Sequence, residues 1–213
     1  MIKGCKHMAT VQYIQGTHHR LSRHPQVGAS LIMVLLILVV VSMLGVGGAQ
    51  IALMSERGAR NDRDQQMAWQ AAEAGLIDAE NDIWNPAVAS TRRTVFDGKS
   101  IADFPSSGCG TSGNALGLCA AVSAGKPAWL TADFTVTSSS AVTTAFGTFT
   151  SASFESGGVG IQPAQAPRYI IEPVISQTGD AANPEQEVLY RVTSMGFGPR
   201  ADIQSVVQML YRL

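Results

Sequence analysis

From Val27 to Ser55 the chain carries no charged side chain, and within that stretch Leu31 to Leu44 reads LIMVLLILVVVSML, broken only by Ser42. Crossing a bilayer as a helix takes about 20 mainly apolar residues, and Ala29 to Met54 supplies that length. The apolar core of a secretory signal is shorter, about 7 to 15 residues. No small-residue cleavage pattern follows the run here, because Ser55-Glu56-Arg57 opens a charged stretch with helical patterning instead. The segment is therefore expected to remain in the mature protein as a membrane helix. Lys3, Lys6, Arg20 and Arg23 precede it, and no Asp or Glu comes before Glu56. This asymmetry predicts a cytoplasmic N-terminal flank and export of everything after the apolar run.

The helical pattern continues past the apolar run. Trp69, Ala72, Leu76, Ala79 and Ile83 recur at spacings of three and four, which marks them as the stripe by which this half of the helix packs on a domain. Asp62, Gln70, Glu73 and Glu80 fall largely elsewhere and read as the solvated face. The helix is expected to end near Trp84-Asn85-Pro86, since proline disfavours helical geometry in the residue before it. Gly45, Gly47 and Gly48 lie together inside it. They suit either a place where the helix stretches or close packing through small residues.

After Pro86 the composition turns to Gly, Ser, Thr and Ala with short apolar alternations. Strands are predicted at Leu130 to Thr137, Phe146 to Phe154, Arg168 to Ser176, Glu187 to Met195 and Asp202 to Leu213. Gly196-Phe197-Gly198-Pro199 is read as the turn between the last two. The fold class is thus α+β, a long N-terminal helix packed on a C-terminal antiparallel sheet. A chain of 213 residues has room for one ordinary domain and an appendage. Its net charge of -1, without a clustered basic surplus, argues against a nucleic-acid partner.

Gly28 sits where the basic flank meets the apolar run, followed by Ala29-Ser30. The stretch GASLIMVLLILVVVSMLGVGGAQIAL (Gly28 to Leu53), continued by NDRDQQMAWQAAEAGLIDAEND (Asn61 to Asp82), resembles the N-terminal region of PilX-type minor pilins of type IV pili. PRYIIE (Pro167 to Glu172) and the closing YRVTSMGFG and VVQMLYRL resemble their head. The resemblance implies a prepilin leader over 1–28, cut by a prepilin peptidase between Gly28 and Ala29, with Ala29 N-methylated. It implies a filament-core and membrane helix over 29–54, an amphipathic continuation over 55–85 and an exported head over 86–213. It further implies an inner-membrane protein with a periplasmic head that passes into the pilus. Its partners there would be other minor pilins, the major pilin and a tip adhesin. Most pilins hold a glutamate as the fifth mature residue, and here that position is Met33. The leader contains two candidate starts, Met1 and Met8.

With the leader removed, Cys5 goes too and Cys109 and Cys119 are the remaining cysteines. In an exported domain they are expected to pair; the alternative, a metal site, lacks nearby histidines or further cysteines. His7, His18, His19 and His24 all precede the apolar run. A serine or cysteine nucleophile in the head therefore has no histidine base. Asp78/Asp82 and Glu185/Glu187 are carboxylate pairs of a kind that does acid–base work, but they read as solvated charges. No catalytic residue, cofactor or metal is expected. Two other readings share the main features: a minor pseudopilin of a type II secretion system, which neighbouring genes would distinguish, and a signal-anchored periplasmic binding domain, which would keep its N-terminus.

Overall fold

The computed structural model describes residues 29–88, 90–121, 124–158, 160–180 and 183–213. The proposed leader, with Gly28, Cys5 and the four histidines, lies outside the described residues. One α-helix, α1, runs from Ala29 to Ile83. The chain divides after Ala52 into two compact units, and each is best taken by itself.

In the first unit the described residues are all helix, and from Ser30 onward almost every side chain is exposed. The helix that begins here is long and apolar enough to cross a membrane, with a mean hydropathy of 2.8 in its most apolar window, none of it buried. Ser42 costs little in such surroundings because its hydroxyl donates to the Leu38 carbonyl one turn back, at 2.7 Å.

The second unit joins the rest of α1 to a four-stranded antiparallel sheet in the order β1-β2-β3-β4. The strands are β1 (Thr144–Ala145), β2 (Arg168–Asp180), β3 (Asn183–Phe197) and β4 (Gln204–Tyr211). The helix closes where it should: Trp84 N–H still reaches the Glu80 carbonyl. The Asn85 side chain then takes the Ala87 N–H across Pro86, a local turn that competes with further helix.

Side chains alternate across the sheet. Tyr169 and Ile171 of β2 and Val188, Tyr190 and Val192 of β3 face one core, with Ala79 and Ile83 of α1 and with Val95, Phe96, Phe104 and Leu118. Phe96 and Phe104 stand at 5.3 and 6.0 Å from the Tyr190 ring. The opposite face carries a second, smaller core of Cys119, Ala128, Phe134 and Ile170.

The helix face against the sheet is made of small residues. Ala68, Ala71, Ala72 and Ala79 are buried, and a Cβ placed on Gly75 would stand 2.2 Å from the Ser194 hydroxyl. On the sheet side, a Cβ at Gly196 would meet the Ala68 carbonyl and the Ala72 amide, each at 2.2 Å. This contact is backbone against backbone. It rotates the buried stripe by about one residue from the expected one: Ala72, Ala79 and Ile83 are fully buried, Leu76 packs at the margin of the core, and Trp69 is 47% exposed. A tryptophan is too large for a seam this narrow.

Two strand expectations and one turn expectation also change. Leu130 to Thr137 is no strand: it follows the 3-10 turn Ala128–Leu130, and Asp133 accepts from the Thr135 amide and hydroxyl, which bends the chain locally. Phe146 to Phe154 is likewise turns, with Gly147 at φ +77° and Ser151 amide bonded back to the Gly147 carbonyl. Gly196 and Phe197 lie within β3 and not in a turn, because the close approach of α1 requires the glycine there. The β2 and β3 ladders run further than their apolar patterns, pairing as far as Asp180 with Asn183.

Gly196→Ala should force helix and sheet apart and cost about 2 to 3 kcal/mol, the usual penalty of overpacking. Denaturant unfolding of the detergent-solubilised chain, followed by near-ultraviolet circular dichroism, measures it; an unchanged midpoint would show that the seam has slack.

Candidate functional site

Two features of this molecule bear on what it does: the exposed apolar helix of the first unit and a group of buried charges in the second. In the first, Leu31, Met33, Leu35, Leu38 and their neighbours present a surface that water does not favour. Met33, within this surface, stands at 67% exposure. Nothing approaches within 4 Å of a Cβ built on Gly45, Gly47 or Gly48.

In the second unit, Asp78 and Asp82 lie one turn apart on the buried face of α1, in phase with Ala71, Gly75 and Ala79. They are 2% and 0% exposed, which corrects the reading of this pair as solvated. The Asp82 carboxylate receives the Arg92 guanidinium through Nε at 2.9 Å and through a second nitrogen at 2.5 Å. The Ser90 hydroxyl at 2.8 Å and the Tyr169 hydroxyl at 3.0 Å donate to the same group. Arg92 is itself fully buried. Its remaining nitrogen donates to the carbonyls of Asn114 and Leu116, and its face lies 3.7 Å from the Phe149 ring centre. Nearly all the hydrogen-bonding capacity of the pair is therefore used, the condition under which burying two charges is tolerable. Burial, and next the Asp82 carboxylate, push the Tyr169 hydroxyl well above its ordinary pKa, so it stays a donor.

Among the described residues no cation forms an ion pair with Asp78. It accepts from the Gly147 amide at 2.8 Å and from the Thr150 hydroxyl. Burial is the largest influence and raises its carboxyl above the ordinary 3.8, partly offset by those two hydrogen bonds. Together the two aspartates fasten the 90–92 and 147–150 segments and β2 to the helix. The role is structural, since both carboxylates are closed off and aimed at fixed donors. Of the second carboxylate pair, Glu187 is tied to Arg212 at 2.5 Å on the surface.

Cys109 and Cys119 form a disulfide. Flanking bonds, Gly110 N–H to Leu118 carbonyl and Ala120 N–H to Gly108 carbonyl, make a tight ribbon of the loop. The Cys119 amide donates to the Ile171 carbonyl at 2.9 Å, which moors it to β2. A closed loop this short is worth about 3 kcal/mol in the chain-entropy account. Among the described residues no three His, Cys, Asp or Glu side chains gather as metal ligands would.

An apolar N-terminal helix whose later half packs on a four-stranded antiparallel sheet is the α+β arrangement of a pilin-like protein. Residues 28–76 match the family model described as PilX N-terminal, and residues 115–213 match the one described as Type IV pilus assembly protein PilX C-term. The two together cover well over half of the 213 residues, and the chain belongs to the PilX family of type IV pilus assembly proteins. No curated protein and no solved structure gives a match. The family is a structural one, and membership implies interaction with other components of a type IV pilus. The first match begins at Gly28 itself.

Two outcomes test the buried charges. Arg92→Met should cost about 3 to 5 kcal/mol, because it strands the Asp82 carboxylate, and Asp82→Leu with Arg92→Met should recover much of that; denaturant unfolding of the three chains reads it. For Asp78 the folded-state pKa lies above the unfolded value of 3.8, so folding takes up a proton in the window between them. Stability should fall as pH rises through that window. Asp78→Asn should flatten that part of the stability profile, and an unaltered profile would show that Asp78 is not its source.

Proposed function

We propose that this chain is a minor pilin, a non-enzymatic subunit that promotes the start of pilus assembly near the tip. In this reading a prepilin peptidase removes 1–28 after Gly28. Residues 29–54 lie in the inner membrane and later in the filament core, 55–85 form the amphipathic continuation, and 86–213 are the exported head. What supports it is the exposed helix surface from Leu31 to Met54, apolar but for Ser42 and Gln50, in a PilX-family chain, with Met33 at its fifth position from Ala29.

The argument from Met33 is electrostatic. In resembling pilins the fifth-position carboxylate is thought to neutralise the terminal amine of a neighbouring subunit within an apolar bundle. An unpaired charge buried there costs several kcal/mol, so the pairing governs entry into an existing stack. Met33 has no charge to give. A subunit with Met33 docks poorly below others and serves where no such docking is needed, at the leading end. It associates there with other minor pilins and with the major pilin that follows.

Intact-mass measurement of membrane material should find a chain that begins at Ala29, N-methylated. A gene deletion should remove most surface pili while the major pilin remains in the membrane, and sheared pili should hold this chain far below the major subunit. An uncleaved N-terminus in cells with active prepilin peptidase would exclude the pilin reading. Near-equal stoichiometry or normal piliation would exclude the priming role alone.

A further inference from the structure

The two edges of the sheet are treated differently. Along β2 the outer edge is occupied: β1 pairs at Tyr169 and Arg168, and Ile171 exchanges bonds with Gly117 and Cys119. The next outward-facing amide position is Pro173, which has no N–H to leave unpaired. At the other side β4 is the last strand. Its sequence from Gln204 to Tyr211, QSVVQMLY, contains neither a charge nor a proline, the two commonest means of blunting an edge.

Register shows which groups are free. The Gly198 amide bonds the Ile203 carbonyl, which fixes that pair as hydrogen-bonded, and bonded pairs recur at every second residue of an antiparallel ladder. Ser205, Val207, Met209 and Tyr211 therefore bond to β3, and the amides and carbonyls of Val206, Gln208 and Leu210 point outward. They have no backbone partner among the described residues. The Gln204 carbonyl, also outward, accepts the Gln65 side-chain amide at 3.2 Å. That contact shows α1 running beside this edge.

The helix gives the edge a wall. Asp62, Gln65, Gln66 and Trp69 line a groove with Ser205 at the start of β4. Near the strand's end, Glu80 adds to burial in raising the Tyr211 hydroxyl above its ordinary value. Neither Asp62 nor Glu80 has an ion-pair partner among the described residues. On the other face of the strand, Val206 and Leu210 are 48% and 64% exposed. An occupant of the edge thus meets carboxylates and a tryptophan face on one side and aliphatic side chains on the other.

We propose that β4 is a strand-addition site for another polypeptide, an extended segment that alternates basic residues toward Asp62, Trp69 and Glu80 with aliphatic residues beside Val206 and Leu210. Main-chain bonds to Val206, Gln208 and Leu210 give such a segment its hold, and the alternating pockets give it selectivity. A lysine or arginine over the Trp69 face gains a cation–π contact as well. A second copy of this chain offers the wrong strand: its own β4 has no basic residue along its length and leaves both carboxylates unanswered. The proposal depends on the second unit alone and stands apart from the priming role.

The test uses the full chain in detergent micelles and a capped Lys-Val alternating peptide of the length of β4, against a block-scrambled peptide of the same composition. Residue-resolved amide exchange should slow at Val206, Gln208 and Leu210 by about tenfold or more when the alternating peptide binds, with little change at Val207 and Met209. Val206→Pro removes an outward donor without touching the β3 ladder and should weaken binding about tenfold. Asp62→Lys with Glu80→Lys leaves the edge intact and should abolish the preference for the basic peptide. Equal binding of the scrambled peptide, or unchanged exchange at the three amides, would overturn the proposal. So would protection of those amides that rises with protein concentration in the absence of peptide, which would make the occupant a second copy.

Discussion

The ion pair of Asp82 with Arg92 is the point on which the head depends. Each of its partners comes from a different part of the chain: Ser90 and Arg92 from the segment after the helix, Asn114 and Leu116 from the disulfide-bonded ribbon, Tyr169 from β2. A buried charge is costly unless every lone pair and proton finds a partner, so these segments are held to one geometry by the need to satisfy it. The apolar core on either side is generic by comparison. Aromatic rings around Tyr190 tolerate rearrangement more readily than two charges at 0% exposure do.

The second constraint is the narrowness of the seam. A helix of alanines against Gly196 brings backbones together and leaves little side-chain volume to exclude water from the polar pair. The disulfide ribbon and the Phe96 and Phe149 rings supply that cover instead. Arg92 lies between those two rings, at 5.8 and 3.7 Å from their centres. Small residues on the helix and large rings on the loops are thus two halves of one packing solution.

Much of this was legible in the residues. The apolar run, the helix end at Trp84, the last three strands and the α+β class follow from periodicity and punctuation, because those elements are long and strongly patterned. The pairing of Cys109 with Cys119 follows from having no other candidates after the expected leader. What escaped was of two kinds. Weight given to large apolar residues drew the stripe through Trp69, although the phase of Ala71, Gly75 and Ala79 runs straight through Asp78 and Asp82, and that phase was the available signal. The Thr- and Phe-rich segment 146–154 alternates like a strand, but Asp78, distant in sequence, claims the Gly147 amide and the Thr150 hydroxyl. No local pattern announces such a competitor.

The spacing of the buried partners along the chain also sets an order in time. Arg92 follows Asp82 by 10 positions, whereas Tyr169 follows it by 87. As the polypeptide emerges from the ribosome, the carboxylate can meet its guanidinium almost at once, long before the sheet that will cover both exists. The most expensive group in the head is thereby neutralised while it is still in water. When β2 to β4 finally arrive, they close over an assembled pair and need to contribute only a hydroxyl.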